Sequence, residues 1–160
     1  FMVPLAISNA IAVKVGFANG SKNINDLKRY SFVGIVMSVG FMMLSALIFS
    51  SFPNFLVGLF TQDSNLVKIS VPVLSVFQIF DGLQIALAGI FKGMKRTGIV
   101  LISNFIAYWL LSIPLGYTLA FRFNLNLRGF WYGLAAAAVL LCVMMVIMLL
   151  KSIKKLESIN

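Results

Sequence analysis

The chain has 160 residues, of which 61% are hydrophobic and 11% charged, and thirteen lysines and arginines against four acids give it a net charge of +9. So little polar surface cannot cover a water-soluble globule, and the basic residues sit in short gaps between apolar runs, which argues against nucleic-acid binding and for a chain threaded through a lipid bilayer. The single cysteine, Cys142, excludes an internal disulfide and a cysteine metal cluster, and the lack of histidine removes imidazole ligands, histidine bases and Ser-His-Asp triads.

Apolar runs of roughly 18 residues or more can cross a hydrocarbon core of about 30 Å as helix. Such runs cover residues 1–18, 30–51, 66–91, 99–121 and 130–150. The expected fold is therefore all-α, a polytopic transmembrane bundle of about five spans over 1–150, with a polar, basic tail at 151–160. The first run opens at Phe1 without a basic lead or a small-residue cleavage site, so it is not a signal peptide. Starting inside an apolar segment, the chain is expected to be a piece of a longer one.

A polar turn from Gly20 to Asp26 leads to the second span. Residues 52–63 follow, with Phe55, Leu56, Leu59 and Phe60 at helical spacing, and predict a short amphipathic helix lying flat at the interface. The third span ends in a basic loop, Lys92 to Gly98. The fourth carries Pro114 and Gly116, and the fifth carries a run of small residues, Ala135 to Ala138. With the tail in the cytoplasm, Lys22, Lys28, Arg29, Lys92, Lys95, Arg96, Lys151, Lys154 and Lys155 all face inward, and only Lys68, Arg122 and Arg128 face outward. The positive-inside rule favours that orientation.

Asp81 is the residue that points to chemistry. It lies near mid-depth of the third span, where an ionisable side chain costs about 2.5–3.5 kcal/mol on insertion scales and normally faces a bundle interior or a wet cavity. Ser75, Gln78, Asp81 and Gln84 recur every third residue and form one slanted polar strip that cannot face lipid comfortably. Two readings follow. Asp81 either joins helices through hydrogen bonds, or binds a proton or small cation with Gln78 and Gln84 beside it. A carboxyl removed from water holds a proton more readily, and without histidine Asp81 is the one intramembrane group suited to proton exchange near neutral pH.

In the fourth span Asn104, Tyr108 and Ser112 are four residues apart. They form either packing or a cavity wall with Ser75 and Phe77. Pro114 and Pro4 are candidate helix kinks. Gly82, Gly89 and Gly93 allow close helix approach. The eight methionines either fill core and face lipid or line a plastic drug pocket. No phosphate loop, metal-ligand spacing or nucleophile–base pair is present, so neither an enzyme nor an ATP-driven machine is expected.

Several short motifs carry a resemblance. They are Phe77-Gln78-Ile79-Phe80-Asp81-Gly82-Leu83-Gln84, Ala88-Gly89-Ile90-Phe91-Lys92-Gly93, Tyr108-Trp109 and Pro114-Leu115-Gly116-Tyr117. Pro4-Leu5-Ala6, Leu59-Phe60-Thr61-Gln62-Asp63 and Gly129-Phe130-Trp131-Tyr132-Gly133-Leu134 add to them. Together they resemble the NorM-type branch of the bacterial multidrug and toxic compound extrusion (MATE) family, in order along nearly the whole chain.

The resemblance implies a twelve-span carrier in the bacterial inner membrane, with two six-helix lobes that exchange H⁺ or Na⁺ for cationic drugs by alternating access. This chain would supply spans eight to twelve, with its C-terminus in the cytoplasm, and the N-terminal lobe would be missing. The coupling ion would be its only cofactor. The family's tenth-span aspartate matches Asp81. Phe77 departs from sodium-coupled relatives, which often have a tyrosine there, and this shifts the expectation toward protons. Two alternatives remain at this point. One is a non-transporting remnant or accessory membrane subunit. The other is a lipid-linked sugar flippase of the same superfamily, although such a carrier would be expected to hold more cationic side chains inside the lobe.

Overall fold

The computed structural model describes residues 2–51, 64–122 and 126–158, with the side chains of 64–74 and 126–128 left aside. The interfacial helix expected over 52–63 and the side chains of Lys68 and Arg128 lie outside that description. The described chain forms α1 (Met2–Gly20), α2 (Ile24–Ser51), α3 (Ser64–Gly93), α4 (Thr97–Arg122) and α5 (Asn126–Glu157), with no strand among the described residues. All five contain a segment long and apolar enough to cross a membrane. The all-α bundle of five spans expected from the sequence is therefore present.

Two helices extend well beyond the expected apolar runs. α2 begins at Ile24 instead of residue 30, because Asn23 caps it: the Asp26 backbone N–H donates to Asn23 Oδ1 at 3.1 Å, and Asn23 Nδ2 donates to Asp26 Oδ2 at 2.8 Å. α5 runs from Asn126 to Glu157, so the expected tail is helical through residue 157. Hydropathy marks the apolar stretch alone. A helix can continue into water where caps and charges support it, and Lys154 and Lys155 in the last turn of α5 complement its dipole.

The turns after α1 and α3 share one design. Asn23 N–H bonds Ala18 O and Lys22 N–H bonds Asn19 O; Arg96 N–H bonds Phe91 O and Lys95 N–H bonds Lys92 O. This is the paired 6→1 and 5→2 closure that satisfies the last carbonyls of a helix. The pivot residue is left-handed in both turns, with φ 56° at Lys22 and 57° at Lys95. Glycine normally fills that position, and a side chain there costs on the order of 1–2 kcal/mol. Lys95→Gly is accordingly expected to stabilise the lobe by about 1 kcal/mol, read as a higher midpoint of thermal unfolding in detergent.

α3 is the centre of the bundle and packs on all four other helices, while α4 lies mainly along α5. Glycines set the distances. A Cβ on Gly89 would stand 2.5 Å from Ser8 O, and one on Gly93 would stand 2.7 Å from Ala12 O, so α1 and α3 meet backbone to backbone. A Cβ on Gly133 would stand 2.7 Å from Gly116 Cα, which brings α5 equally close to α4. Without a hydrophobic drive between helices in lipid, such close packing and interhelical hydrogen bonds hold a membrane bundle together. Ser8 Oγ donates to Ile85 O at 2.9 Å and Ser38 Oγ to Gly82 O at 2.8 Å, which ties α1 and α2 to α3.

The packed core includes Ile11, Val15, Leu27, Leu87, Ile90, Phe91, Leu141 and Met145. It fills the half of the bundle next to the two basic turns. The end of α5 closes that half: Lys28 pairs with Glu157, and Arg96 Nη1 donates to Ser152 Oγ at 2.8 Å. Both basic turns and the end of α5 therefore lie at one end of the molecule. Phe17, Phe32 and Trp109 are among the apolar side chains on the outside, as suits a lipid-facing surface.

Candidate functional site

The polar strip of α3 begins where the packed core ends. Each step of three residues turns a helix by about 300°, so the strip winds from one neighbour to the next. At its start Ser75 Oγ lies 3.1 Å from Ser50 Oγ of α2. One turn on, Gln78 Nε2 donates to Ser45 Oγ at 2.7 Å, again on α2. At its end Gln84 has turned to α4. Its Nε2 donates to Asn104 Oδ1 at 2.9 Å, and its Oε1 accepts from the Tyr108 hydroxyl at 3.0 Å. Asn104 Nδ2 donates back to Val100 O at 2.7 Å, which orients that amide.

Asp81 sits between these two hydrogen-bonded glutamines. It is half-buried, and its carboxylate has no hydrogen-bond or ion-pair partner among the described residues. Its charge lies close enough to act on Tyr108 of α4 and Cys142 of α5. The Cys142 thiol itself donates to Phe80 O at 3.2 Å. The site therefore consists of one bare carboxylate on the central helix, with amides on either side held in place by α2 and α4. Gln78 Oε1 is an additional acceptor beside it, one helical turn away. Gln84 spends both ends of its amide on α4, so it braces the site more than it supplies ligand atoms. No three acidic, histidine or cysteine side chains cluster among the described residues.

The structure divides the remaining candidates. Asn104 and Tyr108 meet at Gln84, as their spacing suggests. Ser112 is buried, and its backbone carbonyl faces Gly133 of α5. Residues Phe105–Ser112 are π-helical, and Ile113–Tyr117 return to α before a second π stretch at Thr118–Arg122. Pro114 lies exposed between the π stretches, and its neighbour Gly116 is buried against Phe130. Pro4 is buried in the first described turn of α1. Phe77 is half-buried and offers no oxygen.

Sequence reasoning missed Ser45 and Ser50, the α2 partners of the strip. A signal for them was present. Ser31, Gly34, Ser38 and Ser45 recur three, four and seven apart, which marks the α2 face turned toward its neighbours. Tyr108→Phe removes only one of the Gln84 hydrogen bonds, and an interhelical bond of this kind averages about 0.6 kcal/mol in membrane proteins. A small drop in thermal stability of purified protein is expected, with Gln84 still held by Asn104.

Residues 1–118 match the MatE family profile. The chain belongs to the MatE family. It is 35% identical over 144 residues to the probable multidrug resistance protein NorM of Mesorhizobium japonicum, covering 85% of this chain and 31% of that protein. It is 36% identical over 153 residues to the multidrug resistance protein NorM of Burkholderia vietnamiensis, covering 91% of this chain and 33% of that one. The MatE chain thus spans about a third of the length of these relatives. Its fold matches the crystal structure of the eukaryotic MATE transporter AtDTX14 with a TM-score of 0.84 and 25% identity, over 98% of this chain and 37% of that one. An inward-facing multidrug resistance MATE family transporter of the MOP superfamily matches with a TM-score of 0.86 at 18% identity, covering 98% of this chain and 38% of that one. Family membership and the five apolar helices make this a multi-pass membrane segment of the MatE family.

Proposed function

We propose that this chain forms spans eight to twelve, five of the six helices of the C-terminal lobe, of a twelve-span antiporter that exchanges H⁺ for cationic drugs by alternating access. Asp81 is the carboxylate that holds either the proton or the drug's positive charge. The observation that carries the reading is the bare Asp81 carboxylate on the central helix, between two glutamines that neighbouring helices immobilise. A structural aspartate in lipid would be expected to spend its oxygens on hydrogen bonds to other helices. An exchanging carboxylate must keep them available.

The proton is favoured over Na⁺ on ligand count. A sodium ion needs several oxygen donors around it. Among the described side chains at the site, Asp81 supplies two oxygens, the Gln78 and Gln84 amides are engaged with α2 and α4, and Phe77 contributes none. A proton needs one carboxylate oxygen. The end of the molecule that carries the two basic turns and the end of α5 faces the cytoplasm of the bacterial inner membrane, in line with the positive-inside rule. The N-terminal lobe and the drug are supplied from outside this chain.

The test is drug uptake by the full-length carrier in proteoliposomes under separate gradients. A proton gradient alone is expected to drive uptake and a sodium gradient alone to leave it at background. Uptake driven by sodium and not by protons would overturn the proton assignment. No movement under either gradient would overturn the antiport reading itself.

A further inference from the structure

Between α1 and α2 the surface of the bundle holds a groove of about 260 Å³, lined by residues of these two helices and by none of α3. Its walls are apolar: Ile7 and Ala10 from α1, Val33 and Met37 from α2. Val33 and Met37 are exposed on the outside of the bundle, as are Val13 and Phe17 nearby on α1, so this side is built to face hydrocarbon. Lys14 and Tyr30 stand at one end, with Lys14 Nζ 5.9 Å from the centre of the Tyr30 ring. A ring face at that distance attracts the ammonium and keeps it beside the groove.

The position of Lys14 suits an interface. It precedes the end of α1 by six residues, roughly 9 Å along a helix axis, and a lysine stem lying along apolar surface carries its charge part of the way outward. The nearest turn adds Arg29, while Lys28 and Glu157 cancel as an ion pair and Asp26, bonded to the neutral Asn23 amide, is a single negative charge against Lys14 and Arg29. The local field is therefore positive. An apolar trough ending in one cation fits a molecule with a long hydrocarbon tail and an anionic head. A cationic drug would meet repulsion from Lys14.

We infer that this groove binds one anionic phospholipid, with an acyl chain laid between α1 and α2 and its phosphate on Lys14 Nζ beside Tyr30. The site is independent of ion coupling at Asp81 and would persist if that role were disproved.

The test uses the full-length carrier reconstituted in nanodiscs of mixed phosphatidylglycerol and phosphatidylethanolamine, then released into detergent for native mass spectrometry of retained lipid. Wild type is expected to retain phosphatidylglycerol selectively. Lys14→Gln should lower that retention about fivefold, the worth of one basic side chain at an anionic surface, and Lys14→Arg should preserve it. Ala10→Phe, which fills the trough and leaves the charge, should also release the lipid. Two results would overturn the inference. One is retention unchanged by both Lys14→Gln and Ala10→Phe, as expected if another helix of the carrier covers the groove. The other is an equal loss with Lys154→Gln on the end of α5, which would mean that diffuse positive charge holds the lipid and the groove does not.

Discussion

Asp81→Asn in the full-length carrier is expected to abolish drug resistance and to leave the amount of protein in the membrane at the wild-type level. The two side chains are nearly identical in shape, so packing around α3 is kept. Asp81 has no hydrogen-bond partner among the described residues, so the exchange breaks no link among the described helices. It also removes the cost, about 2.5–3.5 kcal/mol, of placing a charge at mid-depth in a span. Thermal stability should therefore hold or rise while transport falls to background. The carboxamide can neither take up a proton nor neutralise a cation. Ethidium efflux from cells, normalised to carrier on a membrane blot, separates the two effects. Efflux at the wild-type rate in Asp81→Asn would remove the carboxylate from the mechanism.

Gly89→Ala is expected to destabilise the bundle by forcing α1 away from α3. The new Cβ would lie 2.5 Å from Ser8 O and 3.1 Å from Ser8 C, both backbone atoms of α1. No side chain can rotate away to make room, so α1 itself must move. That movement also strains the bond from Ser8 Oγ to Ile85 O. Overpacking of this kind costs about 1–3 kcal/mol, and a fall in folded carrier on size exclusion after mild heating would report it. Gly40→Ala is the control. Nothing lies within 4 Å of a Cβ at Gly40, and alanine is the better helix former by roughly 0.5–1 kcal/mol. The two substitutions should therefore shift stability in opposite directions. A shared direction would contradict the close contact of α1 and α3.

The five spans were legible because hydropathy over about 20 residues is a strong signal. Asp81 stood out because acids are scarce in this chain and expensive in lipid. The splitting of the polar strip was only half legible. Its three-residue period required it to wind around α3, but which helix each residue meets depends on the order of packing. So Ser75 and Gln78 turned out to bond α2, and Gln84 α4. Ser45 and Ser50 escaped notice because a serine in an apolar run carries no distinctive mark of its own; only the spacing of Ser31, Gly34, Ser38 and Ser45 reveals the shared face. The π-helical stretches of α4 could not be read from residue types. The start of α2 depended on Asn23 and Asp26, and the end of α5 on the terminal lysines, which hydropathy does not score.

The direct test of the central claim is proton release on drug binding. Purified full-length carrier in weakly buffered detergent is mixed with a cationic drug while a pH indicator dye is followed. Exchange at Asp81 predicts acidification in step with drug binding in the wild type, and none in Asp81→Asn. Equal acidification in both proteins would contradict the account and place the exchanging group elsewhere in the carrier.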